Sequence, residues 1–314
     1  MLNVRVTRRR KVADHIIALE LSATREAELP AFTAGAHIDL ELPNGMTRQY
    51  SLLNDPAEHD RYEIAILRDP QSRGGSVCAH ETLVEGTALR IGAPRNLFPL
   101  AEEGPALLFA GGIGITPLLA MARQLQRQGR PFSLDYCTRS RATTAFLDEL
   151  SHGPLADAVR FHRDDGDDTQ RLNAAERLAT PDPHTHAYVC GPAGFIAHIL
   201  DTARANGWAD AQLHAEAFTP APTLPGAPFE LRLQRSGRSV RVGEGQSALE
   251  ALHGAGVPLS ASCEQGVCGT CLTPILEGEP EHRDTCLTVA ERARNDCFTP
   301  CVSRARSPYL LLDL

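Results

Sequence analysis

Ser262-Cys263-Glu264-Gln265-Gly266-Val267-Cys268-Gly269-Thr270-Cys271 is the stretch that decides how this chain folds and what it carries. Its cysteines are spaced C-x4-C-x2-C, and Cys301 follows after 29 further residues. Three thiolates on one short loop and a distant fourth form one of the known ligand spacings of a [2Fe–2S] cluster. Such a cluster is anionic when oxidised and gains another charge on reduction. Small residues and glycines between the ligands let backbone N–H groups turn toward the sulfurs and stabilise that charge.

Structural zinc sites usually present two short Cys/His pairs and fit a three-cysteine loop poorly. A secreted disulfide framework fits poorly with 314 residues and nine cysteines. Five cysteines remain, Cys78, Cys137, Cys190, Cys286 and Cys297, and most read as small buried hydrophobes. Cys286 and Cys297 lie in the long gap, but the position of Cys301-Val302-Ser303 makes Cys301 the expected fourth metal ligand beside Cys263, Cys268 and Cys271.

The remaining composition is that of a soluble globular protein, 42% hydrophobic and 22% charged. The chain is long enough for two or three domains. A net charge of −8 argues against nucleic acid or an anionic membrane as partner. No apolar run is long enough to span a bilayer. The basic start (Arg5, Arg8, Arg9, Arg10, Lys11) precedes no apolar stretch, so no signal peptide and a cytoplasmic location are expected.

Working back from the cysteine loop, residues 229–314 open with two strands, Leu231–Arg235 and Ser239–Val242, about a Ser236-Gly237 turn. A helix from an N-cap at Ser247 to His253 follows. Residues 219–228 hold four prolines in ten and read as an extended linker. Residues 101–218 alternate strand and helix, the pattern of a doubly wound parallel sheet. Residues 1–100 are short strands and turns, with Pro43-Asn44-Gly45 as a hairpin signal, and predict an antiparallel β-barrel. His184-x-His186 reads as a solvated turn.

Four motifs in the first 218 residues carry chemistry. Arg48-Gln49-Tyr50-Ser51 offers an aromatic ring, a hydroxyl and a guanidinium on one strand, suited to a flavin and its phosphate. Arg73-Gly74-Gly75-Ser76 offers close backbone approach, a hydroxyl and a guanidinium for a phosphate, and a helix starting here would add its dipole. Gly111-Gly112-Ile113-Gly114-Ile115-Thr116-Pro117 follows the strand Ala106–Ala110 and opens a helix over Leu118–Gln128. Thr116 is its expected N-cap and Gly129 its stop. Glycines there let backbone reach a pyrophosphate. Cys190-Gly191-Pro192 ends a later strand, where open parallel sheets bind ligands.

In this order, these elements resemble the ferredoxin-NADP reductase superfamily. Over the whole chain the likeness is to the phthalate dioxygenase reductase and vanillate demethylase reductase group, including His282-Arg283-Asp284 and Cys301-Val302-Ser303-Arg304-Ala305. The resemblance implies a multidomain protein: an FMN-binding barrel, an α/β NAD domain and a β-grasp, plant-type ferredoxin domain. It implies that Arg48, Gln49, Tyr50 and Ser51 hold the flavin and that Arg73 to Ser76 meet its phosphate. It places Gly111 to Thr116, with Gly191 and Pro192, against NADH, Cys190 near the nicotinamide and Phe218 over the flavin. Ser51 and Cys190 are then the residues nearest the hydride step. Arg139 follows the strand that meets the adenine ribose; an Arg there also suits a 2′-phosphate. The implied activity is NADH-dependent electron supply, through FMN and the cluster, to a terminal oxygenase of the Rieske type. The alternatives are a haem monooxygenase partner, a free diaphorase, or, in another class, a zinc-binding interaction module.

Overall fold

The computed structural model describes all residues but 25–28, 70, 71, 73, 219–224 and 285, and of Asp168 the backbone alone. The chain divides into two compact units, Met1–Phe218 and Thr219–Leu314. Most of the proline-rich linker, and Arg73, thus lie outside the described residues.

The first unit begins with β1 (Leu2–Ala13), β2 (Ile16–Ala23), β3 (Ala36–Glu41), β4 (Thr47–Ser51), β5 (Tyr62–Leu67), α1 (Gly75–Thr82), β6 (Ala88–Ile91) and β7 (Arg95–Asn96). The strands pair antiparallel in the order β4-β3-β6-β1-β2-β5, with β7 also on β3. The two end strands come together where the Leu53 N–H, just past β4, donates to the Glu63 carbonyl in β5 at 2.9 Å. The sheet therefore curls into a barrel around Val4, Leu19, Ile38, Leu40, Ile64 and Ile91. Each such side chain contributes roughly 1.5–3 kcal/mol by leaving water.

The chain continues through β8 (Ala106–Gly111), α2 (Ile115–Gln128), β9 (Phe132–Thr138), α3 (Leu147–His152), β10 (Val159–Arg163), α4 (Ala174–Arg177), β11 (His186–Cys190), α5 (Ala193–Ala205) and β12 (Leu213–Glu216). These strands form a parallel sheet in the order β10-β9-β8-β11-β12. The winding reverses between β8 and β11, so the crevice for a ligand opens at the carboxyl ends of those two strands. Helix α2 packs Ile115, Leu118, Leu119, Met121 and Leu125 into a core that also takes in Ile16, Leu53 and Phe98 from the barrel side.

Two local expectations give way. Helix α2 starts three residues early, at Ile115, so Thr116 is not its N-cap; its hydroxyl donates back to the Ile113 carbonyl at 3.1 Å. The 3-10 turn Gly112–Gly114 runs directly into the helix, which moves the start upstream. His186 is no solvated turn residue. It opens β11, and its Nδ1 lies 2.9 Å from Nε2 of His214 on the neighbouring strand.

The second unit holds β13 (Phe229–Leu233), β14 (Arg238–Val242), α6 (Ala248–Gly254), β15 (Thr273–Glu277), β16 (Pro280–Glu281), α7 (Val289–Arg294), β17 (Cys297–Phe298), β18 (Arg304–Ala305) and β19 (Tyr309–Leu312). Its main sheet runs β14-β13-β19-β15-β17, parallel only between β13 and β19. Helix α6 packs Ala248, Ala251 and Leu252 against it, a β-grasp arrangement. Ser247 caps α6 by accepting from the Glu250 N–H at 3.1 Å.

Candidate functional site

Strand β4 alternates its side chains, and its neighbours show which way each one turns. Gln49 is drawn to one face, with its Nε2 3.3 Å from Asp39 Oδ1 and 3.1 Å from His37 Nε2. Arg48 and Tyr50 belong to the other face by the two-residue period. Tyr50 packs against the barrel core, and burial pushes its hydroxyl up to about 12. Ser51 ends the strand, buried.

The Arg48 side chain lies over the second motif. A Cβ added to Gly75 would meet Arg48 Nε at 2.9 Å and Cγ at 3.1 Å. Two motifs 27 positions apart in the sequence therefore share one cradle. Gly74 reaches it with φ +104, outside the range an L side chain favours, and opens α1, which has no acidic residue in its first turn. Ser72, which the sequence reading passed over, accepts from the Gly74 and Ser76 N–H groups at 3.1 and 3.3 Å. The Ser76 hydroxyl accepts from the Asp69 N–H at 3.1 Å.

At the crevice, the 111–114 turn and the end of β11 are in contact. A Cβ on Gly114 would stand 2.2 Å from the Cys190 carbonyl oxygen, and one on Gly191 2.9 Å from the Gly111 Cα. Gly114 precedes helix α2 and Pro192 precedes α5, and neither offers a side-chain cap. The Ile115 N–H at the start of α2 bonds back to the Gly112 carbonyl, so the uncapped start of α5, beside the glycine turn, is the end suited to a pyrophosphate. Arg139 is exposed at the carboxyl end of β9, on the same edge of the sheet.

One residue here escaped the sequence reading. Glu216 is the cross-strand partner of Cys190, and its Oε2 is buried with no hydrogen-bond partner among the described residues. Burial pushes its carboxyl up to about 8. Burial, with Glu216 beside it, raises the Cys190 thiol as well, so both groups are neutral near pH 7. No motif marks Glu216; only its register against Cys190 does. Phe218, two residues on, is 40% exposed, an apolar ring with room for a planar partner.

In the second unit the four cysteines stand as two pairs. Cys271 Sγ and Cys301 Sγ are 3.3 Å apart, and the Cys263 and Cys268 thiols are hydrogen-bonded. That bond favours the thiolate on Cys268, with help from Thr270, and raises Cys263. Among the described residues no three His, Cys, Asp or Glu side chains converge on a single ion position. Two thiolates for each of two irons is the donor set of a [2Fe–2S] core, so the residues present fit that group. Backbone N–H groups turn inward as the loop composition requires, Gln265 toward Cys263 Sγ at 3.3 Å and Thr270 toward Cys268 Sγ at 3.5 Å. Gly266 has φ +74, and a Cβ on it would stand 2.5 Å from Val302.

Behind this loop sit two buried charges. Asp284 accepts from the Leu287 N–H at 3.0 Å and the Ser303 hydroxyl at 3.3 Å. Arg304 donates to the carbonyls of Gln246, Gly226, Ala227 and Gly243 at 2.6–3.2 Å, which fixes the last residues before β13 to the domain.

Known proteins repeat this arrangement. A family model described as a 2Fe-2S iron-sulfur cluster binding domain matches residues 231–306, and one described as an oxidoreductase NAD-binding domain matches residues 108–201. The chain is 50% identical to the vanillate O-demethylase oxidoreductase of Pseudomonas sp. (strain HR199 / DSM 7063), with 100% of both covered. It is 42% identical to the heme-dependent oxidative N-demethylase beta subunit of Ectopseudomonas mendocina (strain ymp), covering 100% of this chain and 99% of that one. The solved structure of phthalate dioxygenase reductase, titled as a modular structure for electron transfer from pyridine nucleotides to [2Fe-2S], matches with TM-score 0.78 and 40% identity, over 100% of this chain and 98% of that one. The fold and the two matched domains define an iron–sulfur oxidoreductase that uses a nicotinamide dinucleotide. Within that class, the chain belongs to the family of the phthalate dioxygenase reductases and vanillate O-demethylase oxidoreductases.

Proposed function

We propose that this protein is the cytoplasmic reductase component of a vanillate O-demethylase type of system, carrying electrons from NADH through FMN and a [2Fe–2S] cluster to a Rieske-type terminal oxygenase. The packing of the 111–114 turn onto Cys190–Gly191, in the same unit as the Arg48–Gly75 cradle, carries this reading. A bound flavin would supply the conversion between two-electron hydride chemistry and the one-electron chemistry of a cluster.

The chain's own residues position and exclude. Arg48 and the Gly74–Ser76 segment would hold the flavin phosphate, Tyr50 would lie beside the ring and Ser51 would offer it a hydroxyl. Phe218 would cover the ring. Cys190 and Glu216, both neutral, keep that face dry and free of a competing charge. Cys263, Cys268, Cys271 and Cys301 would hold the cluster, and the loop amides would offset the charge of its reduction. No side chain acts as acid or base.

The choice of partner rests on the vanillate O-demethylase relatives; the heme-dependent N-demethylase subunit favours a second reading, a haem oxygenase partner. Mixing the purified protein and NADH with the vanillate O-demethylase oxygenase, and separately with a haem N-demethylase, decides between them. NADH-dependent demethylation of vanillate is expected; turnover only with the haem partner would reverse the assignment, and NADH oxidation with neither would leave a diaphorase.

A further inference from the structure

The flavin strand and the nicotinamide helix are joined by a buried ionic clasp that the relay described above does not use. The Glu63 side chain is 5% exposed and is paired with Arg10 from β1 and, at 3.6 Å, with Arg123 from α2. Arg123 Nη1 donates to the Leu53 carbonyl at 2.7 Å, and Nη2 to Glu149 at 2.5 Å. Leu53 is two residues past Ser51. The segment it begins is held on its other side too, because Asn54 accepts from the Glu63 N–H at 2.9 Å and donates to the Arg61 carbonyl at 3.1 Å.

Arg123 sits two turns into α2, the helix whose first residues follow the 112–114 turn at the crevice. A helix is stiff over that length, so its grip on Leu53 is transmitted to the turn. A buried carboxylate holds its partners in one geometry because an unpaired charge there is costly. The guanidinium fork reaches a carbonyl and two carboxylates at once, which a single ammonium cannot do.

We infer that Arg123, seated on Glu63, is a positioning residue for the hydride step. It locks the segment after Ser51 to helix α2 and so sets how closely the flavin edge and the nicotinamide approach. The inference rests on the proposed electron relay. Reacting groups misplaced by about 1 Å can lose two orders of magnitude in rate, so the clasp acts on rate more than on affinity.

The test uses full-length holoprotein carrying Arg123→Met, Arg123→Lys or Arg204→Met, the last removing the exposed Arg204–Asp210 pair elsewhere in the same unit. NAD+ affinity, the long-wavelength charge-transfer absorbance on mixing with NADH, and the anaerobic rate of flavin bleaching at saturating NADH are measured well below the melting temperature. Arg123→Met is expected to bleach roughly tenfold more slowly or worse, with weakened charge-transfer absorbance and NAD+ affinity within about twofold. Arg123→Lys should fall between it and wild type, and Arg204→Met should match wild type. Wild-type bleaching rates in Arg123→Met with only a lowered melting temperature would reduce the clasp to a stability element and overturn the inference. Should Arg123→Met not fold, Arg123→Lys decides by the same comparison. A wild-type protein that NADH does not bleach would instead sink the functional reading, and this inference with it.

Discussion

The backbone of Gly114 lies so close to Cys190 that a side chain on the first would have to occupy the carbonyl of the second, 2.2 Å from the position of its Cβ. The obstacle is backbone, which cannot swing aside. Gly114→Ala is expected to force the turn off the strand end, costing about 1–3 kcal/mol of stability and slowing flavin bleaching by NADH roughly 10- to 100-fold. Thermal melting and anaerobic stopped-flow absorbance measure the two effects.

Cys301 stands with Cys271, whereas Cys286 gives its Sγ to Asp284 at 3.6 Å. Cys301→Ser should therefore abolish the reduced [2Fe–2S] EPR signal while NADH still bleaches the flavin. Cys286→Ser should keep both. An intact signal in Cys301→Ser and a lost one in Cys286→Ser would exchange their roles.

Arg304 is 1% exposed and donates to four carbonyls, which lose that charged donor once it is gone. Arg304→Met should destabilise the cluster domain by about 3 kcal/mol or more. Arg304→Lys should recover little, since one ammonium cannot span carbonyls on either side of β13. Thermal loss of the cluster's visible absorbance reads this directly.

Glu216 gives a pH dependence with a definite sign. Unfolded, its carboxyl titrates near 4.5; in the fold burial holds it to about 8. Between those values the native chain keeps a proton that the unfolded chain has released. Its contribution is fully present below about pH 4.5 and is lost as pH rises through about 8, at roughly 1 kcal/mol per pH unit. Glu216→Gln should flatten that part of the stability curve and leave the protein more stable than wild type above pH 8. Denaturant melts at pH 5, 7 and 9 test it; parallel curves would place the Glu216 titration elsewhere.

Much of this was legible in local sequence because local physics enforces it. The cysteine spacing and the glycines around it mark a loop whose amides must face sulfur. Ser247 announces a capped helix, and Gly129, at φ 64, ends α2 as the stop expected of it. Thr116 misled because a 3-10 turn feeds the helix from upstream, which leaves no vacant N-cap for it to fill. What could not be read was register. Alternation puts Gln49 on the face away from Arg48 but does not show what holds it there, His37 and Asp39 on the paired strand. Glu216 matters only because β12 aligns it with Cys190. The Arg123–Glu63 pair joins residues 60 positions apart that no periodicity connects.

The central claim is that electrons from NADH reach a flavin and then a two-iron cluster within this one chain. Anaerobic titration of the purified holoprotein with NADH, followed together by visible absorbance and low-temperature EPR, measures both. Flavin bleaching accompanied by the signal of a reduced [2Fe–2S] centre is predicted. A protein whose flavin bleaches while its cluster stays oxidised, or one that binds zinc and shows no charge-transfer bands, would contradict it.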